Sequence, residues 1–567
     1  MMTYRSKTRS GLTLSLVLLL CAVTADLHAF TLSGVSWLGG SGDDDMAVGT
    51  CIQSQGTIVI AANINDASPG DATPALLNDA AETSSGAVII VNENGTEIIS
   101  VTRVASEVLD MATDSDDNIY IAAAQDGILK LDPSAQNLVY KKECGGYCLR
   151  LDAAEDGTVA GLNASGSNSG TIYVYDNEGT ELGSFSGHRK TQDVAVSSTH
   201  NLVYYTGFRN ANTSANPVQV CYIKACSYQG EEAWTNYDWP AHLLDNSDGV
   251  PYGEVKPENN MADTRGYRLA IGLDGYLYAA FESAGGNHIF RYAPRDIMTK
   301  VTVVGGDMWH NWYNTKSEHK TFFGRYDAQT GDYVLGQQFC TRYYDKNKDR
   351  FNGNTMRVRD GNITADEHGR VYLVGPSASG LPMDKATGYS EKEDEVTYNP
   401  FDEKVYTGGA YLLIMSSDLS QRLYCTRLSG GSTRGVAVRN VDGNTTVAWA
   451  GDVSMLGTDF KTNPEWLLDT HNPIQAQRGG GEEEGFFAVM QTDFSGESTA
   501  LRPARTNMQT ANRAHTVSRR TVLIKGAELD NSAQAYYDLT GRRVPVNKKT
   551  GKQRGTASSV LIEVKRK

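Results

Sequence analysis

Seven times along this chain a short apolar strand enters a tight polar turn and leaves as a second apolar strand. The copies begin at Ala47, Leu109, Leu149, Asp193, Tyr267, Gly361 and Gly435. Their turns carry Gly56, Asn118, Gly157, Asn201, Gly275, Gly369 and Gly443, the residue types that tolerate positive φ in a hairpin. The second strands are rich in Ile, Val and Tyr, which suit a pleated, buried surface. A further hairpin follows several copies, starting at Gly86, Gly127, Gly170 and Gly409. Two hairpins make a four-stranded sheet, and a run of seven such sheets predicts an all-β fold, a β-propeller. The competing reading, a stack of unrelated β-sandwiches, leaves seven matched copies unexplained. Composition agrees: 57 of 567 residues are Gly and only 15 are Pro, as a turn-rich chain requires.

The two ends of the repeat region fit together. After the seventh copy, the segment from Gly485 supplies a third strand but no fourth. Phe30 to Gly39 is placed to complete that sheet and close the ring, which would remove an exposed strand edge. A competing closure uses Ser498–Leu501. About 40 residues suffice for a blade, yet the turn residues are spaced 62, 39, 44, 74, 94 and 74 apart, so several blades carry insertions. Those at 62–85, 208–217, 376–408 and 452–484 are expected between second and third strands, and those at 227–266 and 340–360 between one blade and the next. In an up-and-down sheet both kinds of connection emerge at one end, so that end is expected to carry function. Residues 297–345 are the least regular. The hairpin from Phe322 reads as the outer half of blade five or as an eighth partial blade.

The phrases WLGGSGDDDMAVG (from Trp37) and GGAYLLIMSSDLSQRLYCTRLSGGSTRGVAV (from Gly408) resemble the bacterial SBBP repeats, named for a seven-bladed β-propeller. The resemblance is clear in the first and last blades and diffuse between them. It implies the fold and a secreted or surface location. It implies no catalytic residues.

Residues 1–29 read as a secretory signal: Arg5, Lys7 and Arg9 precede the apolar run Leu12 to Val23, and small residues follow. No later stretch is long and apolar enough to span a bilayer. The net charge of −15 hides an asymmetry, since residues 501–567 carry +11 and the remainder −26. An acidic body argues against nucleic-acid binding. Seven cysteines follow the signal, and export permits disulfides, with Cys144–Cys148 and Cys221–Cys226 spaced as local pairs.

Two aromatic clusters are the candidate ligand-binding residues. Trp234, Tyr237 and Trp239 are read in one loop, and Trp309, Trp312 and Tyr313 in another, beside His310. Flat apolar rings with polar handles suit sugars or peptide side chains, and packing of an insertion onto the propeller is the alternative. Asp345, Asn347 and Asp349 alternate as hard-cation ligands do, which makes calcium the one metal to consider. Arg350 stands where an EF-hand needs its turn Gly, and no Glu closes that loop. Asp43–Asp45 and Asp114, Asp116 and Asp117 are acidic turns that turn chemistry explains without metal. No Gly-x-Ser-x-Gly elbow, His-Glu-x-x-His pair or phosphate-cradling loop is present, and no other cofactor is called for.

The domain plan is a signal at 1–29, a propeller at 30–495, a basic linker at 496–534 and a small C-terminal β module at 535–567. Within the last, Tyr537, Asp538, Gly541, Arg542 and Val544 resemble the core of a type IX secretion sorting domain, although a Lys/Arg-rich middle departs from that pattern. Anchoring of anionic polymer by this basic tail is the rival reading. The expected function is an extracellular binding or adhesion protein for a glycan or protein ligand, without catalytic activity. A polysaccharide hydrolase or lyase is the first alternative, and a matrix or filament component the second. Carboxylates converging at the channel mouth would favour the hydrolase.

Overall fold

The computed structural model describes residues 30–494, apart from connections at 41–43, 66–74, 78–83, 164–168, 213–216, 241–262 except Leu243, 285–288, 305–318, 340, 346–349, 379–396, 399–404, 407, 427–430, 442 and 455–469 except Leu468. Beyond 494 it describes three short strands. The chain divides into two units, Met1–Ala500 and Leu501–Lys567.

The first unit is a seven-bladed β-propeller. Each blade is built on four antiparallel strands, and blades one and five add a two-residue strand, Ala75–Leu76 and Val303–Val304, parallel to the fourth. The seven innermost strands are Met46–Ile52, Val108–Thr113, Arg150–Ala153, Thr191–Ser197, Thr264–Ile271, Asn362–Ala365 and Ser432–Val441. Each packs against the next, and the seventh packs against the first, so the ring is closed. Closure runs as the sequence predicts. Phe30–Leu38 pairs antiparallel with Glu483–Thr492 as the outermost strand of the seventh blade, from Phe30 opposite Thr492 to Leu38 opposite Gly485. Its free edge is partly covered, because Val35 and His471 exchange backbone hydrogen bonds of 2.8 and 3.0 Å.

The core is seven apolar layers, one between each pair of neighbouring blades. The second strand of blade one shows why. Val59 and Ala61 face blade two, whereas Ile58, Ile60 and Ala62 face blade seven. A strand buried on both faces must be apolar throughout, which is why IVIAA shows no alternation. The turns between first and second strands hold Gly56, Gly157, Asn201, Gly275, Gly369 and Gly443 at φ of 52–91°, as predicted for six of the seven. In the second copy it is Asp117, at φ 64°, and not Asn118, that takes the left-handed position.

Two readings of the sequence need correction, and one choice it left open is decided. Residues 208–217 are no insertion: Leu202–Asn212 and Pro217–Ser227 continue one ladder, from Phe208 opposite Cys221 to Asn212 opposite Pro217. Residues 227–266 contain Glu232–Tyr237, the outermost strand of blade four. Of the two alternatives for the hairpin from Phe322, the structure takes the first: His319–Tyr326 and Tyr333–Phe339 are the outer half of blade five, and the described residues of 297–345 form no further blade. The connections 379–407 and 455–482 do join second to third strands, at the end where blade-to-blade connections also emerge.

The second unit contains a small three-stranded antiparallel sheet, with Ala535–Tyr537 between Arg543–Val544 and Ile562–Val564. Among the described residues, no helix is long and apolar enough to cross a membrane.

Glu483–Thr492 would be a bare edge in a chain that starts at Gly40. Such a chain is expected to form larger species than the full chain in light scattering, and a peptide of residues 30–38 is expected to suppress them.

Candidate functional site

At the loop-rich end a cleft of about 530 Å³ opens at the mouth of the central channel. Its wall is assembled from five blades and their connections. Met46 and Asn63 come from blade one, Leu109 from blade two, Arg150 from blade three, Asp360 from the approach to blade six, and Arg434 from blade seven. Antiparallel pairing dictates this gathering: the start of each innermost strand lies opposite the end of the second strand, as Met46 lies opposite Asn63. The lining mixes polar and apolar surface in nearly equal parts. Besides Arg150 and Arg434 it presents Asp44, Glu107 and Asp360, with hydroxyls from Ser85 and Ser106.

Several of these groups are already held. The Arg150 guanidinium donates to Leu109 O at 3.4 Å and sits 3.9 Å from Asp110. Arg434 is ion-paired to the buried Asp452. Asp44 accepts the N–H groups of Glu482 and Glu483 at 2.7 and 2.9 Å, tying blade one to the connection within blade seven. Asp45 accepts from Gly40 and Asn65 at 2.6 Å each, and its burial pushes the carboxyl up despite those bonds. Asp114 accepts the N–H groups of Asp116 and Asn118, an Asx turn. Backbone donors thus occupy these acidic turns. Among the described residues no three His, Cys, Asp or Glu side chains gather as a metal site requires.

Below the mouth, carboxylates line the innermost strands. Asp110 accepts Leu151 N–H at 3.2 Å, Asp152 accepts Val196 N–H at 2.9 Å, and Asp193 accepts Leu269 N–H at 2.9 Å. Each reaches from its own blade to the next, so the three clip blades two to five in series. Arg268 continues the series, donating to the carbonyls of Arg359 and Gly361 ahead of blade six. Burial dominates their ionisation. It pushes Asp152 up to about 7, with neighbouring Asp193 and Asp110 adding to it, and Asp193 up to about 6 against the pull of Arg268 and Arg150. Burial and Arg150 hold Arg268 down at about 10.

A second polar group lies at the same end, between blades five and six. Glu282 is completely buried at the end of a second strand. One oxygen accepts Val358 and Arg359 N–H at 3.3 and 3.2 Å. The other lies 3.5 Å from His319 Nδ1 and 3.6 Å from Arg359 Nη2. Burial, with Arg357, Arg265 and Arg359, holds His319 down at about 4, so the ring is neutral at neutral pH.

The aromatic candidates fall elsewhere. Trp234 and Tyr237 lie on the outermost strand of blade four rather than in a loop, and Trp239 follows it. All three are buried in the layer between blades four and five. Tyr237 and Tyr326 hydroxyls are 2.8 Å apart, and the Tyr237 ring stands edge-on to Phe281 and Phe290. That is packing within the propeller, not an open platform. Trp309, Trp312, Tyr313, Asn347 and Asp349 lie outside the described residues, and Asp345 ends a short strand, Thr341–Asp345. Cys221 and Cys226 stand five residues apart on one strand and face opposite layers. At about 3.3 Å per residue they cannot bridge. Arg150, Asp360, Arg434 and the Glu282–His319 pair escaped the sequence reading. No local motif marks them, because register alone assembles them.

No protein-family model matches the chain, and no curated protein matches it. Among solved structures, hydrazine synthase of Kuenenia stuttgartiensis aligns over 71% of this chain and 92% of that chain, at 10% identity and a TM-score of 0.36. A likeness of that size bears no conclusion about this chain.

Trp234→Ala is expected to destabilise the fold by roughly 3–5 kcal/mol in urea or guanidinium unfolding, the cost of emptying a buried ring site. Asp152→Asn tests the channel. A carboxyl raised from 3.8 to about 7 binds its proton more tightly when folded, so its contribution to stability is greatest at low pH and fades as pH rises toward 7. The amide cannot ionise. The variant is therefore expected to gain on the order of 1 kcal/mol over the parent at pH 8, a gain absent at pH 4, in paired thermal melts.

Proposed function

We propose that this chain is an exported propeller of the SBBP type that captures an extracellular glycan at the mouth of its channel. The observation that carries this reading is the cleft at the loop-rich end, where the Arg150 and Arg434 guanidinium groups, side-chain amides and hydroxyls line one concave surface. Such a surface offers a polyhydroxylated ligand donors and acceptors together, with Met46, Val48 and Leu109 supplying apolar contact. The role is binding rather than catalysis. The buried channel carboxylates are committed to N–H groups of the next blade, and Asp44, Glu107 and Asp360 in the cleft wall are the carboxylates that the alternative, a polysaccharide hydrolase, would use. The body's acidity disfavours polyanionic ligands such as nucleic acid and leaves neutral or weakly charged glycans. A protein ligand at the same surface is the other outcome.

Export in this reading uses residues 1–29 as the signal and 535–567 as a type IX sorting module. The resemblance at Tyr537, Asp538, Gly541, Arg542 and Val544 supports it, and the short strands there are compatible with it. Intact mass of the protein recovered from the cell surface or medium tests this part. Loss of about the last 70 residues supports sorting, and a full-length C-terminus overturns it.

For ligand capture, the full chain is compared on a glycan array with the Arg150→Ala/Arg434→Ala double variant. The parent is expected to bind a restricted set of neutral glycans, and the variant, assayed well below a melting transition that loss of the Arg434–Asp452 pair lowers, to lose tenfold or more in affinity. Equal binding by parent and variant would remove the cleft from the function.

A further inference from the structure

The connection from blade two to blade three, between Leu138–Lys142 and Arg150–Ala153, carries the segment Cys-Gly-Gly-Tyr-Cys at 144–148. Both sulfurs are buried, with Cys144 1% and Cys148 0% exposed, in the apolar layer between those blades. Both are free thiols in this structure, and Cys144 is the group that acts most strongly on the Cys148 thiol, so the two side chains are neighbours. The backbone is set to bring them together. Gly145 and Gly146 are both left-handed, at φ 60° and 87°, and Tyr147 N–H donates to Cys144 O at 3.4 Å. The turn is pinned from both sides. Asn163 Nδ2 donates to Cys144 O and Gly145 O at 2.9 and 2.6 Å, and Cys148 N–H donates to Ala124 O at 3.2 Å. No other pairing of the described cysteines is available to these two. Cys51 packs between blades one and two, Cys425 between blades five and six, Cys221 between four and five, and Cys226 between three and four.

We infer that Cys144 and Cys148 are a disulfide site, closed by a thiol–disulfide oxidant acting on the chain. Each cysteine gives up its S–H bond and one Sγ–Sγ bond forms. The two protons and two electrons pass to the oxidant's own disulfide, which leaves as two thiols. The product is a ring across five residues, within the reach of a left-handed double-glycine turn. Burial then shields the closed bond from outside thiolates, and because the Cys144 contact and burial push the Cys148 thiol well up, Cys148 is a poor leaving group in exchange. The ring ends one residue before Leu149 and two before Arg150, both in the wall of the cleft, and Cys148 Sγ lies 3.7 Å from Arg150 O. Closing it fixes the backbone that carries Arg150. The inference stands on the double-glycine turn and on the buried layer that both side chains share, and does not need a ligand in the cleft.

The test uses the purified, fully reduced full chain, incubated overnight with oxidised glutathione at pH 8. The sample is acid-quenched, unfolded, alkylated with iodoacetamide and mapped by peptide mass. The expected product is the peptide spanning 144–148 lighter by about 2 Da and free of label, with Cys221 and Cys226 not joined to each other. A parallel Cys148→Ser chain is expected to show Cys144 carrying label or glutathione, which proves that the mass loss in the parent is the bond between these two. Labelled or glutathionylated Cys144 and Cys148 in the parent would overturn the site, as would the same mass loss persisting in the variant.

Discussion

The structure hangs on one long-range ladder. Phe30–Leu38 and Glu483–Thr492 are more than 440 residues apart in sequence, yet they make the seventh blade whole. Without that pairing blade seven has three strands. Trp37 and Val35 then leave the layer they share with Val447, Trp449 and Phe486. Leu38 likewise leaves the layer against blade one. One strand therefore serves two of the seven layers, and a ring has no spare layer to lose. Loop-closure entropy grows only slowly with length, so so distant a pairing is affordable once the intervening sheets are built.

Closed apolar layers hold blades face to face, but they do not set where one blade stops sliding against the next. Polar contacts along the channel do that. Asp110, Asp152 and Asp193 each take one particular N–H of the neighbouring strand, and Arg268 takes two particular carbonyls. In a low-dielectric wall a misplaced carboxylate is costly, so each such bond favours one register. The cost appears as carboxyls held near neutral pKa. The acidic groups of the channel thus belong to the architecture, while Arg150 and Arg434 line the cleft above them.

Much of the fold was legible in the sequence because a turn needing positive φ and a strand buried on both faces leave local signatures. Gly56, Gly157 and Gly369 advertise the first; IVIAA at 58–62 advertises the second. Where those signatures are weak, reading failed. Phe208–Asn212 is too polar to look like strand, yet it continues a ladder started by Leu202. Trp234 and Tyr237 look like a surface cluster because Thr235 and Asn236 lie between them, but Asn236 is itself buried, with its amide bonded to Gly331 O at 2.6 Å. The cleft was not legible at all. Arg150, Asp360 and Arg434 are remote in sequence and meet only through the ring.

The two ends of the propeller obey different rules. At one end each first turn is short and locked, as Gly157 N–H is to Ala154 O at 2.9 Å and Gly369 N–H to Asp366 O at 2.9 Å. At the other, the connections differ widely in length, and described parts of them add only short pairings at the blade edges, as Ala75–Leu76, Val303–Val304 and His471 do. Chains of this architecture can therefore acquire new binding specificities by lengthening or exchanging segments such as 379–407 and 455–482, while the ring beneath stays constant. The loop-rich end is the evolvable half of the molecule, and the end with the short turns is its invariant frame.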